Sequence, residues 1–325
     1  MAGAGGHGGA GLAGGGRLSS GFSQPLGTNV VAGAVRGYYL DMRVKASVPE
    51  WPPPELQPLA GQMHVDTAQW GLGAYEQFLE TGDERWLAAA SACARHFLDL
   101  QLRDGALAGG WVHDLAYPHT FPLAAGWLSA MAQGEVASLL VRVFQETGEQ
   151  QLADAARLAL QPLTVPVAEG GVLADLGGGP FYEEYPTQPA SYVLNGAIFT
   201  LWGCFDVAVA LDDERARQLF DDGVDTLARE IGRWDLGWWS RYDLFPHPLP
   251  NVASAGYHEL HIDQLIALDR IAPRSALAAA ADRFRAYEGS RFGARRALAA
   301  KAAFRVAVPR NQRLARRLPW ASGRS

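Results

Sequence analysis

Four stretches of this chain are apolar or small at almost every position. Each leads into a polar turn and then into a segment whose apolar residues recur only at helical spacing. The stretches begin near His64, Ser129, Tyr192 and His258, about 63 to 66 residues apart. The turns after the first three read Thr81-Gly-Asp-Glu-Arg-Trp-Leu, Thr147-Gly-Glu-Gln-Gln-Leu and Leu211-Asp-Asp-Glu-Arg-Ala-Arg. The segments that follow, such as 86–102 and 151–160, are amphipathic, and Leu219, Val224, Leu227 and Ile231 show the helical period plainly. The repeated unit is therefore a helical hairpin with an apolar first helix and an amphipathic second one. Stacked copies of such a unit bury a shared core. The pattern predicts an all-α fold, an (α/α) toroid of about four hairpins over 64–289, with the apolar helices as its inner ring.

Two long segments break the repeat. Residues 165–190 carry Gly170-Gly171, Gly177-Gly-Gly-Pro180 and Pro186, and read as a small β-hairpin or irregular loop with Val172-Leu-Ala174 and Phe181-Tyr182 as strands. Residues 233–257 hold Trp238-Trp239, Pro246, Pro248 and Pro250. Long loops within a compact helical domain usually carry function. Residues 25–63, with Tyr38-Tyr-Leu-Asp41 and Trp51-Pro-Pro-Pro54, are expected to run as an extended arm against the toroid. The glycine-rich stretch 1–24 is expected to be disordered.

Composition adds a globular signature, with 48% apolar and 19% charged residues. Ten tryptophans and ten tyrosines suit either a core or a sugar-stacking groove. The net charge of −6 conceals a basic C-terminal segment, 290–325, with ten Lys or Arg and no Asp or Glu. It is expected to be a solvated, partly helical tail. No nucleic-acid-binding signature accompanies it. Cys93 and Cys204 lie in apolar helical stretches and read as small buried hydrophobes. The stretch 192–211 has the length of a membrane span, but Asn195, Asp206 and its place in the repeat make it a core helix. With no secretory signal or membrane helix visible, a cytoplasmic location is the expectation. A homodimer is left open.

Three clusters bear chemistry. Phe181-Tyr-Glu-Glu-Tyr-Pro-Thr-Gln-Pro189 sets two carboxylates and two phenols on a proline-closed loop just before an inner helix, a set suited to proton transfer if burial tunes it. The same residues also read as a charged turn with its tyrosines packed inward. Arg241-Tyr-Asp-Leu244 and His247 form the second cluster. The third is Asn251 with Tyr257-His-Glu-Leu-His-Ile-Asp263. His258 and His261 lack the four-residue spacing of the helical zinc motif, so no metal is expected there. His261 reads either as a substrate-facing group or as a buried histidine. No phosphate-cradling loop follows a strand, and no nucleophile elbow occurs.

Four motifs, in this order, resemble those of the heparosan glucuronyl C5-epimerases. They are Gly126-Trp-Leu-Ser-Ala-Met-Ala-Gln-Gly134, Tyr182-Glu-Glu-Tyr-Pro-Thr-Gln-Pro-Ala-Ser-Tyr-Val-Leu-Asn-Gly196, Tyr242-Asp-Leu244 and Tyr257-His with His261-Ile and Gln264-Leu265. They span somewhat under half of the chain. The resemblance implies an (α/α)-toroid enzyme that inverts C5 of glucuronic acid within a polysaccharide, giving iduronic acid, with no cofactor. It implies catalytic roles for Glu184, Tyr185, Tyr242 and Tyr257. Asn195 and Asn251 fall on substrate-contacting asparagines. Gln133, Tyr182, Arg241, His258 and His261 are grouped with them as substrate-binding. The C5 hydrogen lies α to a carboxylate, so one group must remove it and another must return a proton on the opposite face.

Three departures bear on substrate. Phe245 stands where the resembling family has an arginine. Ser254-Ala-Gly256 replaces an arginine-rich stretch, and Asp263 replaces an asparagine. Arg241 is one candidate for the missing cation. Fewer cations point to an unsulfated or otherwise less anionic glycan. A polysaccharide lyase, a glycoside hydrolase using Glu183 or Glu184 with Asp243 or Asp263, and a glycan-binding protein without turnover are the competing readings.

Overall fold

The computed structural model describes residues 35–53, 63–117, 120–121 and 123–309. The expectation for 1–24 and parts of those for 25–63 and 290–325 lie outside the described residues.

The predicted hairpins are present as α1 (His64–Thr81) with α2 (Glu84–Leu100), α3 (Ala130–Thr147) with α4 (Gln150–Leu158), α5 (Leu194–Ala210) with α6 (Glu214–Glu230), and α7 (Ala255–Ile271) with α8 (Ser275–Glu288). The inner helices α1, α3, α5 and α7 neighbour one another in that order, and each packs against its own outer partner. The fold is an (α/α) toroid. Inner and outer helices differ as their sequences do: α5 is buried at every position from Leu194 to Ala208, whereas α6 buries a stripe containing Ala216, Phe220, Val224 and Leu227. No described helix is long and apolar enough to cross a membrane. Cys93 and Cys204 are buried free thiols.

The repeated turns fold alike because their chemistry is alike. Gly82 and Gly148 end α1 and α3 in the left-handed region, at φ 67° and 71°. The threonine just before each glycine accepts from the amide two residues on, at 3.2 Å in Asp83→Thr81 and 3.3 Å in Glu149→Thr147. Asp83, Ser129, Asp213 and Ser254 then cap α2, α3, α6 and α7 with their side-chain oxygens.

Small residues bring the inner helices close. A Cβ on Gly134 of α3 would lie 2.6 Å from Thr200 Cα and 2.7 Å from Phe199 O on α5, and one on Gly203 of α5 would strike the backbone of Gly134. The same pair of helices shares a fully buried ion pair, Arg142 with Asp206. Arg142 Nε also donates to Gly37 O at 2.6 Å, and Tyr39 Oη donates to Asp206 Oδ1 at 2.8 Å. Glu76 accepts from the amides of Tyr38 and Met42 at 2.7 and 2.6 Å. The N-terminal arm is thereby locked to α1, α3 and α5.

The insertion forms a two-stranded antiparallel ribbon, β1 (Leu173–Asp175) and β2 (Pro180–Tyr182), with Ala174 opposite Phe181. At the other end of the chain, the segment expected to be a solvated, partly helical tail does form a helix, α9 (Arg291–Ala307), but one docked on the rest of the fold. Its Phe304 is fully buried and its Ala297 packs with Trp239, Val252 and Ala253. Five of the ten basic residues that suggested a tail, Arg291, Arg295, Arg296, Lys301 and Arg305, belong to this helix, and the other five lie outside the described residues.

Gly134→Ala and Gly203→Ala should each lower unfolding free energy by about 1–3 kcal/mol, because overpacking at the α3–α5 crossing outweighs alanine's helix preference. Urea unfolding followed by far-UV circular dichroism reads this directly. Unchanged midpoints for both would place α3 and α5 further apart than described.

Candidate active site

Glu183 and Glu184 follow β2 directly, and they turn opposite ways. Glu183 is fully buried, and its carboxylate accepts from the amides of Ser191 and Tyr192, each at 3.0 Å, and from the Ser191 hydroxyl. Its own backbone is held on both sides, by Val172 O at 2.8 Å and by the Ala130 amide at 3.0 Å. Burial lifts its pKa to about 7, while these hydrogen bonds pull the other way. Tyr192, which it grips, sits at φ 51°, a conformation that non-glycine residues seldom adopt. Its phenol is tied to Asp175 O at 2.6 Å. The loop is thus pinned through Glu183, and Glu184 is left to face a cleft.

That cleft has about 430 Å³ of space between its walls, part of it open solvent. Its lining includes the first two turns of every inner helix: Asp66 and Gln69 of α1, Met131 of α3, Asn195 and Phe199 of α5, and Tyr257 and Leu260 of α7, together with Glu184 and Tyr185. Helix N-termini carry partial positive charge, so this end of the ring favours an anion. Gly196 makes room for the acid, since a Cβ there would collide with the Glu184 carboxyl.

Among the described residues, Glu184 Oε2 has no hydrogen-bond partner. Burial, partly offset by a hydrogen bond with Tyr185 and reinforced by Glu183 and Asp243, pushes the Glu184 pKa up to about 8. Across the cleft, burial raises Asp66 to about 6, against the pull of Lys45. Tyr185, Tyr242 and Tyr257 are raised above the usual phenol value, first by burial and next by the charge of Glu184. Tyr185 Oη accepts from Tyr117 Oη at 3.2 Å. Tyr242 meets Tyr257 edge-on with ring centres 4.8 Å apart, and a hydrogen bond between them works to lower Tyr257. Asn195 presents an amide whose Oδ1 is without a partner. Ser254 caps α7 by accepting from the Tyr257 amide, which sets that phenol in the first turn.

Glu184, Tyr185, Asn195 and Tyr257 therefore line one cleft, and Tyr242 packs directly behind Tyr257. Asn251 lies beside them: its backbone carbonyl accepts from Tyr242 N at 2.7 Å, and its amide donates to Asp243. The other proposed substrate contacts lie elsewhere. Gln133 is consumed by backbone, donating to Gly109 O at 2.9 Å and Ala159 O at 2.7 Å and accepting from Trp111 N at 3.1 Å. Tyr182 donates to Leu219 O at 2.8 Å. His258 and His261 both meet Ser240 Oγ through Nδ1, at 2.7 and 3.0 Å, and His258 Nε2 reaches Phe284 O at 2.9 Å. Burial depresses the two rings to about 4 and about 3, so they are neutral ties between the 233–257 loop, α7 and α8. Arg241 has Asp243 and Arg233 as charged neighbours and is outside the cleft lining. Phe245 is buried among Tyr117, Phe121, Tyr185 and Tyr242.

Asp66, Gln69 and Tyr117 join the site without having been singled out in the sequence. For Asp66 and Gln69 a signal existed: the repeat that places Tyr257 at the start of α7 places Asp66 at the start of α1.

Comparison with known proteins gives the family. The family described as D-glucuronyl C5-epimerase C-terminus matches residues 103–286. The D-glucuronyl C5-epimerase of Caenorhabditis elegans is 32% identical over 197 residues, covering 55% of this chain and 32% of that protein. An uncharacterized protein of Methanocaldococcus jannaschii, MJ1128, is 28% identical over 161 residues, covering 48% of this chain and 50% of that one. The chain thus spans a third to a half of the length of these relatives. A solved glycoside hydrolase family 76 mannosidase, Bt3792 from Bacteroides thetaiotaomicron, aligns with a TM-score of 0.39 and 14% identity over 68% of this chain and 57% of that one, too distant to inform the site.

The raised pKa of Glu184 has a consequence for stability. Between the unfolded carboxyl value and about 8 the native state holds a proton that the unfolded state has lost, so stability falls as pH rises through that window. Wild type should therefore lose up to about 1.4 kcal/mol per pH unit relative to Glu184→Gln between roughly pH 5 and 8. Below that window the difference should be constant. Thermal unfolding of both proteins across this range checks it, and parallel pH profiles would show that Glu184 is not buried in its acid form.

Proposed function

We propose, from the premise that this chain belongs to the D-glucuronyl C5-epimerase C-terminus family, that it inverts C5 of glucuronic acid residues within a polysaccharide. The observation that carries the reading is the pairing of Glu184 and Tyr257 in one cleft, on a loop and a helix more than seventy residues apart in sequence. Epimerisation needs two proton-transfer groups that address the same carbon from opposite sides. Glu184, poised near neutrality by burial and unpartnered at Oε2, serves as one. Tyr257 serves as the other, with Tyr242 bonded to it and so able to share its proton and steady its anion. Tyr185, bonded to Tyr117, and the Asn195 amide line the same cleft and are available to hydrogen-bond the enediolate that forms when C5 loses its proton. Atoms balance without a co-reactant: one proton leaves C5 to the first group, and a different proton arrives from the second.

The reaction in this reading is D-glucuronic to L-iduronic acid, and the substrate is an unsulfated uronate polymer. The aromatic surroundings of Phe245 give no purchase for a sulfate. A hydrolase reading draws on one observation, that Asp66 and Glu184 are two carboxyls facing the same cleft.

Incubation with an unsulfated glucuronic-acid oligosaccharide in deuterium oxide should place deuterium at C5 and yield some iduronic acid by NMR. Tyr257→Phe and Glu184→Gln should each slow exchange by about 10²-fold or more. New reducing ends without C5 deuterium would establish hydrolysis instead, and an unsaturated product absorbing in the ultraviolet would establish a lyase.

A further inference from the structure

A uronate entering this cleft meets Glu184, whose pKa is set by burial and by other carboxyls, and Asp66, which already takes up the charge of Lys45, and its own carboxylate gains negative charge as C5 is deprotonated. Partial charges at helix ends do not replace a full cation for such a group. The cation comes from outside the family match, which ends at residue 286. Helix α9 lies across the 233–257 loop. Phe304 stands edge-on to His247 at 5.0 Å, the Arg296 guanidinium covers Trp238 at 4.1 Å, and Arg305 donates to Thr120 at 3.2 Å. Between these anchors Lys301 extends its ammonium to Asn251 Oδ1 at 2.7 Å and over the Tyr242 ring at 5.7 Å. Asn251 is held for this contact, because its amide nitrogen is committed to Asp243. Tyr242 in turn rests on Tyr257, so the ammonium is one ring removed from the cleft.

The residue type is informative. The chain has 28 Lys and Arg, of which Lys45 and Lys301 are the two lysines. Every other basic residue of α9 is arginine. Lys45 is buried, and the charges acting on it are those of Asp66 and Glu135. At Lys301, a compact ammonium on a flexible stem fits beside two aromatic rings and an amide where a planar guanidinium would need more room. Its neighbourhood also adjoins Phe245 through His247, whose ring centre is 4.7 Å from Phe245.

We propose that Lys301 binds the substrate's uronate carboxylate, which makes α9 part of the substrate site. The assignment rests on the uronate reading of the cleft. Lys301 swings from Asn251 toward the carboxylate or bridges the two, holding the charge that builds on the carboxylate oxygens. A single point charge matches a carboxylate better than a densely sulfated chain.

The test compares binding of a hexasaccharide of alternating glucuronic acid and N-acetylglucosamine with that of its carboxyl-reduced counterpart, by calorimetry. Wild type should prefer the acid by about tenfold or more, as a charge-assisted contact requires. Lys301→Met, which keeps the stem over Tyr242, should bring the ratio close to one. A Lys301→Met protein that keeps the wild-type ratio overturns the assignment, as does a wild type with no preference. Deuterium exchange at C5 separates this from the parent reading. A wild type that discriminates through Lys301 but exchanges nothing removes the epimerase and keeps the carboxylate site. One that exchanges while Lys301→Met discriminates equally well removes Lys301 and keeps the epimerase.

Discussion

A carboxylate that reaches neither solvent nor a cation must be satisfied by backbone, and in this molecule Glu183 meets that demand. Its bonds to the Ser191 and Tyr192 amides close the loop that precedes α5, and its main chain ties the same loop to Val172 and Ala130. Everything at the site is referred to that closure. Glu184 points into the cleft because Glu183 points away from it. Tyr185 is placed against Tyr117, and Asn195 enters α5 at the height of the carboxyl. An unsatisfied buried carboxylate costs several kcal/mol, so the loop has little freedom to open elsewhere.

The toroid supplies the second half of the geometry. Small residues at the α3–α5 crossing let the inner helices approach until their N-terminal turns converge on one volume. The convergence sets dipoles, an amide, phenols and carboxyls around a single ligand-sized space. Burial then tunes them together: it holds Glu184 near neutrality and keeps the phenols protonated, so acid and base forms coexist without a metal-ligand set being needed for the proposed chemistry. The protein pays for this arrangement in stability at high pH, where none of the described cations acts on an ionised Glu184.

Much of this was legible in the sequence, for physical reasons. The hairpins could be read because their period and turn chemistry repeat, and Gly82, Gly148 and the Thr before each show why the turns recur. The Tyr182–Asn195 loop could be read as chemistry because its residue types are unusual together. What escaped was direction. His258 and His261 carry chemistry in composition, yet both rings meet Ser240, His258 reaches on to Phe284, and neither is in the cleft lining. Gln133 and Tyr182 sit in matched motifs but hold backbone. Nothing in the local pattern distinguishes a histidine facing a cleft from one facing a neighbouring helix, because both faces of an inner helix are buried. The docking of α9 escaped for another reason: its charge dominates its composition, while the few residues that dock it, Ala297, Lys301 and Phe304, find partners only across long sequence separations.

The central claim is that Glu184 and Tyr257 address one C5 atom from opposite faces. The most direct test is a crystal structure of Glu184→Gln with a glucuronic-acid oligosaccharide bound. The account predicts a uronate ring in the cleft, with C5 about 3–3.5 Å from the residue-184 side chain on one face and from Tyr257 Oη on the other. A ring seated outside the cleft, or one with both groups on the same face of C5, would contradict it.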